Sequence, residues 1–137
     1  MGAYRRTTTT IRNFYFGTNV DATLEDASPR TIVDSNRNVL YWGDKLTITN
    51  TTVSSGICTN TLYLFAMNSV GSPIGLGSFK LYSCKIYDDD ILIHDYVPCI
   101  RNGEEAGLYD KIENKFYSNA GTGEFLWYNE CNRDNVD

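Results

Sequence analysis

The stretch FKLYSCKIYDDDILIHDYVP, residues 79–98, decides the fold class. Two runs rich in apolar, β-branched and aromatic side chains flank Asp88, Asp89 and Asp90. Such runs around a short acidic tip are two antiparallel strands and their turn, because Asp tolerates left-handed backbone and hydrogen-bonds its own main chain. The strands are expected over 78–87 and 91–98, with Pro98 ending the second.

Working outward, KLTITN at 45–50 puts Leu46 and Ile48 on one side and Thr47 and Thr49 on the other, as a half-buried strand requires. Further strands are expected over 11–17, 39–42, 61–66, 107–109, 115–117 and 124–128. Gly, Asn and Ser clusters predict loops at 50–60 and 68–77. Residues 22–38 are expected to form a surface excursion with one helical turn, and the polar tail 129–137 to fray. Helix signals are nearly absent. The expectation is an all-β, antiparallel β-sandwich or jelly roll.

The chain has 137 residues, enough for one domain with a real core. We expect a single domain over 1–137, with 1–12 as an extended arm. Twelve Lys and Arg face seventeen Asp and Glu, a net charge of −5, which argues against a duplex-binding surface with its clustered cations. No nucleic-acid or membrane partner is expected. The start, MGAYRRTTTT, lacks the apolar run of a secretory signal, and no run approaches a membrane span. Gly2 suggests myristoylation, but Arg6 stands where Ser or Thr is needed.

A single His leaves little room for His-based catalysis. His94 sits beside Asp95, but adjacent strand residues point to opposite faces, so this pair is read as structural. Glu104 and Glu105 adjoin Asn102-Gly103 and read as a solvated turn, not as the spaced carboxylates of a glycosidase. Asp88–Asp90 lack the spacing of a calcium loop, so the hairpin reading is preferred and no metal site or cofactor is assigned, Ca²⁺ included. Gly121-Thr122-Gly123 is a tight turn, since no helix follows to complete a phosphate cradle. Cys58, Cys84, Cys99 and Cys131 are widely spaced and read as buried free thiols. No catalytic residue is assigned, and the expectation is not an enzyme.

Aromatics are the remaining resource. Tyr41-Trp42 and Trp127-Tyr128 form pairs in which one member of each should face outward. Trp42, Trp127 and Tyr128 are therefore the candidate partner- or glycan-binding residues. The stretch 4–12, with Arg5, Arg6 and Arg12, adds a basic surface for an acidic neighbour.

The segment FKLYSCKIYDDDILIHDYVPCIRNGEEAGLYDKIENKFYSNAGTGEF (79–125) resembles a concanavalin A-like, or laminin G-like, jelly roll of phage tail, other virion and bacterial surface proteins. The matching elements are LYSCKIYD, DYVPC and GLYDKIENKFYSNAGTGEF, with TLYLFAMN upstream. The paired acidic motif of the family's glucanases has no counterpart here. Such domains are usually longer, so the resemblance implies a sandwich trimmed or completed by neighbouring chains. It implies a non-enzymatic virion component (capsid decoration, head-fibre or tail-associated), made in the host cytoplasm. Its partners would be other virion proteins and itself, as a homo-oligomer. The alternative is a cell-surface module for adhesion to a glycan.

Overall fold

The computed structural model describes residues 2–5, 9–15, 17–51, 61–74 and 79–127. Among them every regular element is a strand, and every pairing is antiparallel. The chain divides into two compact units, 1–77 and 78–137. Strand neighbours in each sheet are also sequence neighbours, so the sheets are meanders and hairpins.

In the first unit, β1 (Gly2–Arg5), β2 (Thr10–Tyr15) and β3 (Thr18–Thr23) make one three-stranded sheet. β4 (Val33–Asn36), β5 (Val39–Trp42) and β6 (Leu46–Thr49) make another. The stretch read as an arm supplies β1 and the start of β2. The alternation predicted for 45–50 is present, with Ile48 buried and Leu46 packed against the same cluster. That cluster joins the two sheets: Ile11 of β2, Leu40 of β5, Ile48 of β6 and Ala27, flanked by Val20, Ala22, Leu24 and Trp42.

Asparagines tie the same sheets together. Asn13 is fully buried two residues from Ile11, and its Nδ2 donates to the Asn38 carbonyl at 3.0 Å. Asn38 Nδ2 donates to the Asn50 carbonyl, and Asn50 Nδ2 to the Thr18 carbonyl, both at 2.9 Å. Buried backbone carbonyls at strand ends are thereby satisfied by side-chain amides.

Two expectations for this unit are corrected. Residues 61–66 are irregular, with bends at 64–66, and the strands lie later, as the hairpin β7 (Met67–Ser69) and β8 (Ser72–Ile74), where a loop was expected. Val70 and Gly71 at its tip both have positive φ, the conformation a two-residue hairpin needs. The excursion at 22–38 contains β4 and the end of β3, with no helical turn.

The second unit is a four-stranded sheet in the order β12-β11-β10-β9. Its strands are β9 (Cys84–Asp88), β10 (Ile91–Arg101), β11 (Glu105–Asp110) and β12 (Lys115–Tyr117). The acidic tip is the predicted hairpin: Asp88 pairs with Ile91, and Asp89 and Asp90 have φ of 44° and 65°. Pro98 does not end its strand, which runs on to Arg101. It limits β9 instead. Pairing stops at Cys84 opposite Tyr96, because Pro98 has no N–H to offer an extension of that edge. Residues 124–127 are not in a strand, and Tyr128 lies outside the described residues.

Gly107 of β11 is buried beneath the Phe116 ring, and a Cβ there would collide with that ring and with the Tyr117 carbonyl. The Arg101 guanidinium lies over the Phe116 ring, 4.3 Å from its centroid, a cation–π contact between β10 and β12.

Two substitutions test this account by urea denaturation. Leu40→Ala is expected to cost about 2–5 kcal/mol through lost burial and a residual cavity, whereas exposed Leu62→Ala stays within about 0.5 kcal/mol. Gly107→Ala is expected to destabilise the protein by more than the ~1 kcal/mol typical of a point mutation, because both neighbours of the new methyl must move.

Candidate functional site

The polar centre of the second unit forms where β10, β11 and the β11–β12 turn meet. Register explains the meeting. The hairpin through Asn102 and Gly103, both at positive φ, pairs Arg101 with Glu105 and, further down, Tyr96 with Asp110. His94 therefore stands just past the end of β11, on the Tyr96 face. A β-bulge between Leu92 and His94 lets the hairpin tip keep its own alternation.

Asp110 is fully buried, and its carboxylate meets the His94 ring and the backbone amides of Asp95, Ile112 and Glu113. The Asp95 and Ile112 amides donate to Oδ1 at 3.1 and 2.9 Å, and the His94 ring lies with Nδ1 2.6 Å from Oδ2. Burial by itself pushes the Asp110 pKa up, but the His94 and backbone hydrogen bonds outweigh it and hold the group down at about 2. Asp110 is thus an acceptor only, which places the proton of the shared hydrogen bond on His94 Nδ1.

Glu113, in the β11–β12 turn, brings Oε1 to 3.0 Å from the same Nδ1. Its other oxygen accepts a hydrogen bond from the Tyr117 hydroxyl at 2.7 Å. That bond, with burial and the Glu113 charge adding to it, pushes the Tyr117 pKa up to about 12. Tyr96 stacks on the His94 ring at 5.3 Å between centroids, and Tyr117 meets Tyr96 edge-on at 5.9 Å. The Tyr96 ring, itself backed by Tyr117, thus holds one imidazole between two carboxylates.

The residues singled out from sequence are distributed differently. Trp42 of β5 packs against the core cluster, while its neighbour Tyr41 is the outward member of the pair. Trp127 is exposed and follows the last strand. Arg12 is held to Asp21 of β3 by a two-pronged ion pair at 2.7 and 2.9 Å, so it serves the β2–β3 pairing. Arg5 ends β1 and is exposed, whereas Arg6 and Tyr128 lie outside the described residues. Glu105 begins β11 and pairs with Arg101 at 2.5 Å, and Glu104 sits in the turn as expected.

Cys84 and Cys99 are free thiols, half-buried where full burial was expected, and burial raises the Cys84 pKa. Cys58 and Cys131 lie outside the described residues. Asn119 organises the Gly121–Gly123 turn, its Oδ1 accepting from the Gly121 amide at 3.0 Å. Among the described residues, a small cleft of about 40 Å³ is lined by Leu24, Asp26, Pro29, Arg30, Trp42 and Lys45, among others. A wider open depression is lined by Thr31, Ile32, Asp34, Tyr41, Gly43 and Asp44.

The sequence sets His94 beside Asp95 and correctly argues against that pair, but it does not point to Asp110, sixteen residues away. No protein-family model, curated protein or solved structure matches the chain.

Because the Asp110 pKa is lower folded than unfolded, its contribution to stability is complete above about pH 4 and is lost as pH falls towards 2. Acid titrations are expected to show this loss in the wild type and a flatter profile in Asp110→Asn. Equal slopes between pH 4 and 2 would contradict the assignment.

Proposed function

We propose that this chain is a non-enzymatic structural component of a phage virion, a capsid decoration, head-fibre or tail-associated protein, acting through protein–protein contact with other virion proteins and with copies of itself. The observation that carries the reading is where the apolar side chains lie. Among the described residues the buried hydrophobics are Ile11, Ala27, Leu40 and Ile48, all within 1–77. The sheet of β9–β12 has none, yet it displays Tyr87, Ile91, Ile93 and Ile100 at 37–68% exposure.

A sheet with apolar side chains on its faces is stable when a second layer covers them. In this reading a neighbouring chain supplies that layer and completes the sandwich implied by the concanavalin A-like resemblance. Strands β9 and β12 each have one partner in the sheet, so their outer edges also offer backbone groups for pairing. The virion setting rests on the sequence resemblance, and the mode of action on the exposed apolar surface.

One observation favours a second reading, a carbohydrate-binding adhesion module at a cell surface. Tyr41 is 43% exposed in the open depression that Asp34 and Asp44 also line. An aromatic face with carboxylates beside it suits a sugar ring, which stacks on the one and donates hydroxyls to the other.

Sedimentation velocity across micromolar to millimolar concentrations tests the first reading. Mass is expected to rise with concentration, and the double variant Tyr87→Ser/Ile91→Ser to weaken association at unchanged circular dichroism. A monomer throughout the range would contradict it. Competable glycan-array binding that is lost in Tyr41→Ala would favour the second reading instead.

A further inference from the structure

The convergence on His94 Nδ1 has a use beyond holding a turn in place. We propose that His94 Nδ1, Asp110 Oδ2 and Glu113 Oε1 form a binding site for a divalent first-row transition ion. The three side chains offer ligand atoms that all lie within 4.8 Å of one another. Nδ1 is 2.6 Å from the Asp110 oxygen and 3.0 Å from the Glu113 oxygen. Ligands bound to such an ion at about 2.0–2.2 Å sit roughly 3 Å apart when at right angles. The site therefore needs an opening of about half an ångström between His94 and Asp110 and almost none between His94 and Glu113, while the Asp110 and Glu113 oxygens, within 4.8 Å of each other, draw together on the ion.

The surrounding donors leave the correct atoms available. Asp110 Oδ1 is taken by the Asp95 and Ile112 amides, and Glu113 Oε2 by the Tyr117 hydroxyl. Each carboxylate is thereby steered by its own partners, with Asp110 also meeting the Glu113 amide, and turns Oδ2 or Oε1 to His94, which is how outer partners orient ligands at metal sites. Two carboxylates and a neutral imidazole balance a 2+ charge. One nitrogen and two oxygens suit manganese, iron or zinc rather than a thiolate-seeking ion.

The proton now on Nδ1 occupies the position an ion would take. A ring ligated through Nδ1 carries its hydrogen on Nε2, so binding exchanges the Nδ1 proton for the ion and requires no oxidant or co-reactant. His94 and Glu113 are 28% and 38% exposed, so an ion reaches the site from solvent, and water completes its coordination. The bound ion would staple β10, β11 and the β11–β12 turn, and so stabilise the folded sheet by linkage.

The single histidine makes the test direct. Manganese(II) chloride is titrated into the full, chelator-treated chain while the His94 ring resonances are followed by NMR. Selective paramagnetic broadening of His94 at substoichiometric Mn²⁺ is expected, with one ion bound per chain and a rise in melting temperature. Glu113→Gln, at a partly exposed position, is expected to weaken binding at least about tenfold and Tyr117→Phe by about 10–100-fold. Both should retain the wild-type circular dichroism. A His94 ring that stays sharp at millimolar Mn²⁺, or equal affinity in wild type and Glu113→Gln, would overturn the proposal. Cobalt(II) substitution separates this site from the cysteines: absorption without a thiolate charge-transfer band is expected, and such a band would also overturn it.

Discussion

A carboxylate buried inside a sheet is the constraint on which the second unit depends. Asp110 has no access to solvent, so its charge has to be met by donors from its own fold. They come from two sources at once: β10, with the His94 ring and the Asp95 amide, and the β11–β12 turn, with the amides of Ile112 and Glu113. Each comes from a different point along the chain, so satisfying one side chain fixes the end of β11 against β10 and shapes the turn into β12. The Lys111 amide, which reaches back to the Asp95 carbonyl at 2.9 Å, closes the same corner through the main chain. The two tyrosines then pack around the ring so placed.

The two units achieve stability by different means. In residues 1–77 a small apolar cluster joins two sheets, and asparagine amides satisfy the carbonyls at its edge. In residues 78–137 there is no buried hydrophobic side chain among those described, and order comes from hydrogen bonds, ring contacts and the close approach of Phe116 to Gly107. A sheet organised by polar geometry and displaying its apolar side chains suits a surface made to be covered. An imidazole clasped by two carboxylates also suits a site where a cation would add rigidity. The assembly reading and the cation-site reading rest on separate observations.

Much of the architecture was legible in local chemistry. Asp88–Asp90 announced a hairpin because consecutive Asp residues tolerate the positive φ that they adopt, and KLTITN announced its buried face by alternation. Strands 39–42 and 115–117 were placed to the residue. The misses have physical causes. FKLYS before Cys84 has strand-like composition but lies outside β9, because Pro98 withholds an N–H two residues beyond the last pair of the ladder. Of the pair Tyr41-Trp42, in which alternation turns one member outward, sequence alone does not say which; Trp42 packs against the buried cluster and Tyr41 faces outward. The His94 site was hidden because contacts across a hairpin are set by register, not adjacency. The signal was present, since a turn centred on Gly103 already places residue 96 opposite residue 110.

The central claim is that the buried Asp110 carboxylate fixes the proton on His94 Nδ1 and thereby orders the corner where β10, β11 and the turn meet. Its most direct measurement is the nitrogen-15 and proton NMR of the one histidine ring in the metal-free protein. A slowly exchanging, strongly downfield Nδ1 proton is expected at neutral pH, and it disappears in Asp110→Asn. A His94 ring in fast exchange, protonated at Nε2 alone as an unconstrained surface imidazole is, would contradict it.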